Sequence, residues 1–154
     1  MKKYSIITYY KSVQQNRNIY LDSIINFKLS EAEQLGTKLQ YRVEAASDQV
    51  IDPRDLTIIL GNLLDNAITA VASVSNKTIY FLYRETKGRI IISISNSYDG
   101  TVIMKNQKII SRKKDTRIHG YGLKNIEKTV DKYNGTVKIL HDDNMFTVKL
   151  LLYV

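Results

Sequence analysis

The 154-residue sequence has no cysteine, no tryptophan, a single proline and only two histidines. The lack of cysteine excludes disulfides, thiolate metal sites and cysteine nucleophiles in one step. With Pro53 the only proline and no Gly/Ser-rich tract or repeat, no internal linker is visible. No apolar run approaches the roughly 18 to 20 residues that cross a bilayer, and Met1-Lys2-Lys3-Tyr4 leads into no signal-peptide pattern, so a soluble domain is expected. His119 and His141 have no serine or metal partner at a recognisable spacing and read as structural or exposed. The tyrosines form no RNA-stacking motif and read as core and rim.

Acidic residues are the minority, 15 against 23 basic, for a net charge of +8. Much of the excess is local. Lys105, Lys108, Arg112, Lys113, Lys114 and Arg117 face Asp115 alone. Such a stretch is a solvated loop or a surface for a polyanion: nucleic acid, a membrane face or a nucleoside triphosphate. The length is about one domain, and 44% hydrophobic with 25% charged residues excludes a disordered tail or a fibre.

From Ile19, apolar Leu21, Ile24, Ile25, Leu29 and Ala32 recur at helical spacing up to Gly36. Leu39, Tyr41 and Val43 then alternate with polar residues as in a half-buried strand. Asp52 and Pro53 supply a cap and a first helical residue, and a long helix is expected to about Ala72. Strands follow at Thr78 to Arg84 and Arg89 to Ser95, joined by the turn Glu85-Thr86-Lys87-Gly88. Between Asn96 and Gly120 there is a long loop, with at most a short strand near Thr101 to Met104. Leu123, Ile126, Val130 and Tyr133 then mark a helix that stops at Asn134-Gly135. A last strand pair opens at Val137 and Ile139, turns at Asp142-Asp143-Asn144, and closes with Phe146 to Tyr153. Lys2 to Gln15 is weakly patterned; residues 1–15 are expected to be an upstream stub or docking segment, and 16–154 one domain. The order predicts an α+β fold, a two-layer α/β sandwich with a mixed, mostly antiparallel sheet covered by helices on one face.

Three constellations could carry chemistry. Opposite the apolar stripe of the long helix lie Asn62, Asp65, Asn66 and Thr69, an oxygen-bearing flank. Asparagine mid-helix costs a few tenths of a kcal/mol, so this is either an unfavourable surface or a hard-cation site suited to Mg²⁺. Gly120-Tyr121-Gly122-Leu123-Lys124 opens a helix, where unpaired backbone N–H groups and the helix dipole favour an anion and Lys124 adds charge. It is not a dinucleotide fingerprint, since Asn125 stands where the third glycine belongs, and no P-loop pattern exists anywhere. Asn96, at the end of a strand, either makes a turn or meets a ligand edge.

In this order, Gly61-Asn62-Leu63-Leu64-Asp65-Asn66-Ala67, Ile94-Ser95-Asn96-Ser97 and Gly120-Tyr121-Gly122-Leu123-Lys124-Asn125-Ile126 resemble the Bergerat-type ATP-binding domain shared by gyrase, the heat-shock chaperone, histidine kinases and mismatch-repair proteins. The wording looks most like sensor histidine kinases of the peptide-pheromone, accessory gene regulator type, over roughly Ile19 to Val154. The resemblance implies Mg·ATP as ligand. It makes Asn62 and Asn66 the catalytic N-box pair, with Asn66 ligating Mg²⁺, and it gives Asn96 the adenine amino group. Gly120, Tyr121, Gly122, Leu123 and Lys124 become the phosphate-holding box, and Ser97 to His119 the ATP lid. It further implies γ-phosphoryl transfer to a histidine on a separate dimerisation domain, with a response regulator indirectly as partner. A homodimer at full length, no nucleic acid, and a cytoplasmic position within a membrane-anchored quorum-sensing receptor complete it. With no histidine before His119, the acceptor lies outside this sequence. An ATP-binding regulatory module without phosphotransfer is the alternative.

Overall fold

The computed structural model describes residues 7–10, 18–45, 51–101, 103–105, 108–110 and 121–154. Elements follow the order β1 (Ile7–Tyr10), α1 (Ile19–Gln34), β2 (Lys38–Glu44), α2 (Pro53–Ala72), β3 (Thr78–Thr86), β4 (Arg89–Ser97), β5 (Ile103–Lys105), β6 (Lys108–Ile110), α3 (Tyr121–Asp131), β7 (Thr136–His141) and β8 (Met145–Tyr153).

Both long helices start where side chains satisfy orphan amides. Asn18 accepts the Leu21 N–H at 3.1 Å, and Asp52 accepts that of Arg54 at 2.8 Å ahead of Pro53. Six strands form one sheet in the order β1-β2-β3-β4-β8-β7. β1, β2 and β3 run parallel, joined through α1 and α2, while β3, β4, β8 and β7 pair antiparallel. The helices cover one face. Leu56, Ile59, Leu60, Leu63, Leu64, Ala67 and Val71 of α2, the stripe expected from the sequence, are all buried. They form one core with Leu21, Ile25 and Leu29 of α1, with Ile126 and Val130 of α3, and with Ile79, Phe81, Tyr83, Ile90, Ile92 and Ile94 of the sheet. Among the described residues α2 is also the one helix long and apolar enough to cross a membrane, a property that a central core helix shares.

Two details add to the expected order. Ile7–Tyr10, within the expected upstream stub or docking segment, is a strand in register with Gln40 to Val43. The long loop contains a two-stranded hairpin, β5 with β6. Residues 102, 106–107 and 111–119 of the expected lid, His119 among them, lie outside the described residues, as does Gly120 of the expected phosphate-holding box.

Candidate functional site

The site forms where α2 meets the start of α3. Gly122 lies in the first turn of α3 and is buried against α2. A β-carbon there would sit 3.3 Å from Oδ1 of Asn62 and 3.6 Å from Oδ1 of Asn66. The amide flank of α2 and the N-terminal backbone of α3 therefore converge. Asn62 is held by its own helix, since its Nδ2 donates to the Ile58 carbonyl at 2.7 Å. That bond turns its oxygen towards α3. Asn66 is exposed one turn further on.

Asp65, expected to share the oxygen-bearing flank, has a partner the sequence did not suggest. Lys28 of α1 reaches it at 2.7 Å, and this contact above all holds the Lys28 ammonium above its usual pKa. The pair ties α1 to the flank, leaving the two asparagines as the amide oxygens beside Gly122. Among the described residues no group of three carboxylate or imidazole side chains could hold a metal ion. A divalent cation here would depend on ligand phosphates, which suits Mg²⁺ and its preference for one or two protein oxygens.

The first turn of α3 presents backbone N–H groups that have no intrahelical acceptor, at the positive end of the helix dipole. Lys124 is exposed in that turn, Leu123 packs partly against the core, and Tyr121 opens the helix. Asn96 is buried at 4% exposure near the end of β4, on the same side of the sheet as Ile94 and Ile92 and thus facing the helices. Its Nδ2 donates to the Ser97 carbonyl at 3.1 Å, which fixes the orientation of the amide. Ser97 is fixed in turn, because its hydroxyl accepts the Thr78 N–H at 2.9 Å. His141, exposed at the end of β7, stacks on Phe146 with ring centroids 6.3 Å apart.

A clip at the opposite ends of the same helices holds α2 against α3. Asp55, in the first turn of α2, is buried and accepts hydrogen bonds from Lys132 Nζ and Tyr133 OH, both at 2.8 Å. The Tyr133 oxygen also accepts the Asp52 N–H at 3.2 Å. Burial pushes the Asp55 carboxyl up, but the bonds from Lys132 and Tyr133 outweigh it and hold the group below the usual carboxylate range. No local signal marks this clip, because Lys132 and Tyr133 stand 77 and 78 positions from Asp55.

A family model described as a GHKL domain matches residues 51–153. The chain is 27% identical over 145 residues to a probable C4-dicarboxylate sensor kinase of Halalkalibacterium halodurans, covering 88% of this chain and 27% of that protein. It is 31% identical over 98 residues to the sensor protein CitS of Bacillus subtilis, covering 60% and 18%. The chain thus spans less than a third of the length of either relative. Among solved structures, the nucleotide-free catalytic domain of histidine kinase ThkA superposes with a TM-score of 0.67 at 20% identity, covering 90% of this chain and 92% of that one. The histidine kinase domain of the blue-light-activated kinase of Erythrobacter litoralis gives 0.64 at 10% identity, covering 92% and 64%. At these identities the superpositions speak for the fold.

Proposed function

Because the chain belongs to the GHKL domain family, we propose that it is the catalytic ATP-binding domain of a sensor histidine kinase, binding Mg·ATP and donating the γ-phosphoryl group to a histidine on a separate dimerisation domain. The observation that carries this reading is the juxtaposition of Asn62 and Asn66 with Gly122. It puts amide oxygens and helix-start N–H groups around one space, as an anion accompanied by a hard cation requires.

In this reading the Asn96 amide oxygen accepts the adenine amino group, and its bond to Ser97 keeps the amide turned that way. The Tyr121 to Lys124 backbone holds the phosphates together with Gly120, and Lys124 offsets their charge. Asn66 holds Mg²⁺ with Asn62 beside it, and the cation when bound neutralises charge on the transferring phosphoryl group. The protein's part is then positioning and electrostatics, with the nucleophile supplied by the partner. The names of the two sensor-protein relatives support the assignment to a sensor kinase; with that assignment we propose a response regulator downstream, a homodimer at full length, and a place on the cytoplasmic side of a membrane-anchored receptor.

Calorimetry with Mg·ATP, followed by labelled ATP with an acceptor-histidine domain from a matching kinase, tests the reading. Binding with phosphohistidine formation supports it. Binding without transfer assigns the chain to ATP-dependent regulation, and absence of nucleotide binding overturns both.

A further inference from the structure

The nucleotide reading uses only the helix-covered side of the sheet. On the other side the strand register collects charge of one sign. Arg42, Leu82, Ser93, Lys149 and Lys138 form one row across β2, β3, β4, β8 and β7. The same alternation puts Lys38, Arg84 and Arg89 on that face. Glu44 is the one carboxylate there among the described strand residues, and it pairs with both Arg42 and Arg84.

Lys138 and Lys149 are direct cross-strand partners, both exposed, and neither has an ion pair among the described residues. Like charges placed opposite one another destabilise a sheet, so an anion over them removes a cost built into the free domain. Between the cations stand Tyr80, Leu140 and Tyr153, exposed by 41%, 41% and 46%. Amphipathic rings with long cationic stems are the composition of a membrane–water interface. This face carries a groove of about 420 Å³ with Ser93 and Ser95 between Tyr80, Leu82 and Arg42. It has no cluster of cations at its centre. Charge spread over five strands fits a laterally extended polyanion better than one acidic side-chain cluster.

We propose that the helix-free face of this sheet docks on anionic phospholipid headgroups, with the nucleotide site directed away from the bilayer. Cosedimentation of the 154-residue chain with vesicles tests it. The chain is expected to bind phosphatidylcholine mixed with phosphatidylglycerol at about 3:1, and not phosphatidylcholine alone, with binding that falls as salt rises. Lys138→Glu with Lys149→Glu should lower partitioning about thirtyfold, and the paired alanine variants somewhat less. Both pairs should keep the wild-type Mg·ATP titration, whatever its affinity, and a cooperative melt. Lys113→Glu with Lys114→Glu, in the basic stretch between Lys105 and Arg117, should lose less. Equal binding to both vesicle types, loss confined to the Lys113 and Lys114 variant, or capture by soluble polyglutamate without vesicle binding would each overturn the proposal. None of these outcomes depends on nucleotide binding.

Discussion

Oδ1 of Asn62 lies 3.3 Å from the point where a side chain would begin on Gly122, two residues 60 positions apart on different helices. Any larger residue at position 122 fills the space between the asparagine pair and the start of α3. Gly122→Val is therefore expected to weaken Mg·ATP binding about tenfold or more, the equivalent of one charge-assisted hydrogen bond. The fold should persist, because a β-carbon there meets the side-chain amides of Asn62 and Asn66 rather than core residues. Unchanged affinity by calorimetry would separate the asparagines from the phosphates.

Asn66 offers the complementary test. It is exposed and lies off the buried stripe of α2, and alanine is the better helix former. Asn66→Ala should leave the thermal midpoint unchanged or slightly raised while Mg·ATP affinity falls at least tenfold. A parallel fall in both would mean that Asn66 supports the fold instead.

Asp55 makes a prediction about pH. Its folded-state pKa is depressed, so the unfolded chain binds the extra proton first, and stability rises with pH through the acid range. The contribution is complete above the unfolded value near 3.8 and is lost as pH falls through the lower folded one. Asp55→Asn is expected to cost about 1–2 kcal/mol at pH 7 and to flatten the acid limb below about pH 4. Urea titrations across that range measure both effects.

Two backbone-scale sites test packing. Thr37 is 5% exposed, and its hydroxyl has no hydrogen-bond partner among the described residues. Thr37→Val removes that orphan at nearly constant shape, and should raise stability by about 1 kcal/mol in urea unfolding. A lower urea midpoint would mean that the hydroxyl is satisfied.

Gly135 is the opposite case. A β-carbon there would lie 2.3 Å from the Leu151 carbonyl oxygen and 2.7 Å from a Val130 methyl, just after Asn134 at φ 49°. Gly135→Ala should cost about 2–3 kcal/mol, read as a lowered melting point. A melting point equal to wild type would show that β8 and α3 can separate at this point without penalty.

Local signals made most of the fold legible. Asp52-Pro53 marks the start of α2, and its heptad-like apolar stripe is buried as expected. Asn134-Gly135 marks the end of α3, and Lys87-Gly88, with Gly88 at φ 76°, turns β3 into β4. What stayed hidden depends on distant partners. Ile7–Tyr10 is too short to show a period, and it becomes a strand only by pairing with β2. Asp65 looks like one more oxygen on the asparagine flank until α1 brings Lys28 against it. Asp55 reads as an ordinary acidic residue in a first helical turn, because Lys132 and Tyr133 arrive from the far end of the chain. The asparagine pair and the glycine turn could be found separately because each breaks a local rule; their meeting is a tertiary fact.

The clip at Asp55 lies some ten or eleven residues along each helix from Asn66 and Gly122, roughly 15 Å away at 1.5 Å per residue. In the proposed nucleotide reading the two helices are like the arms of tongs pinned at the handle, with the jaw gap set by a joint that lies outside the site. Substitutions in and around that joint can widen or narrow the grip, so variation in affinity among related sequences need not trace to any residue lining the cleft.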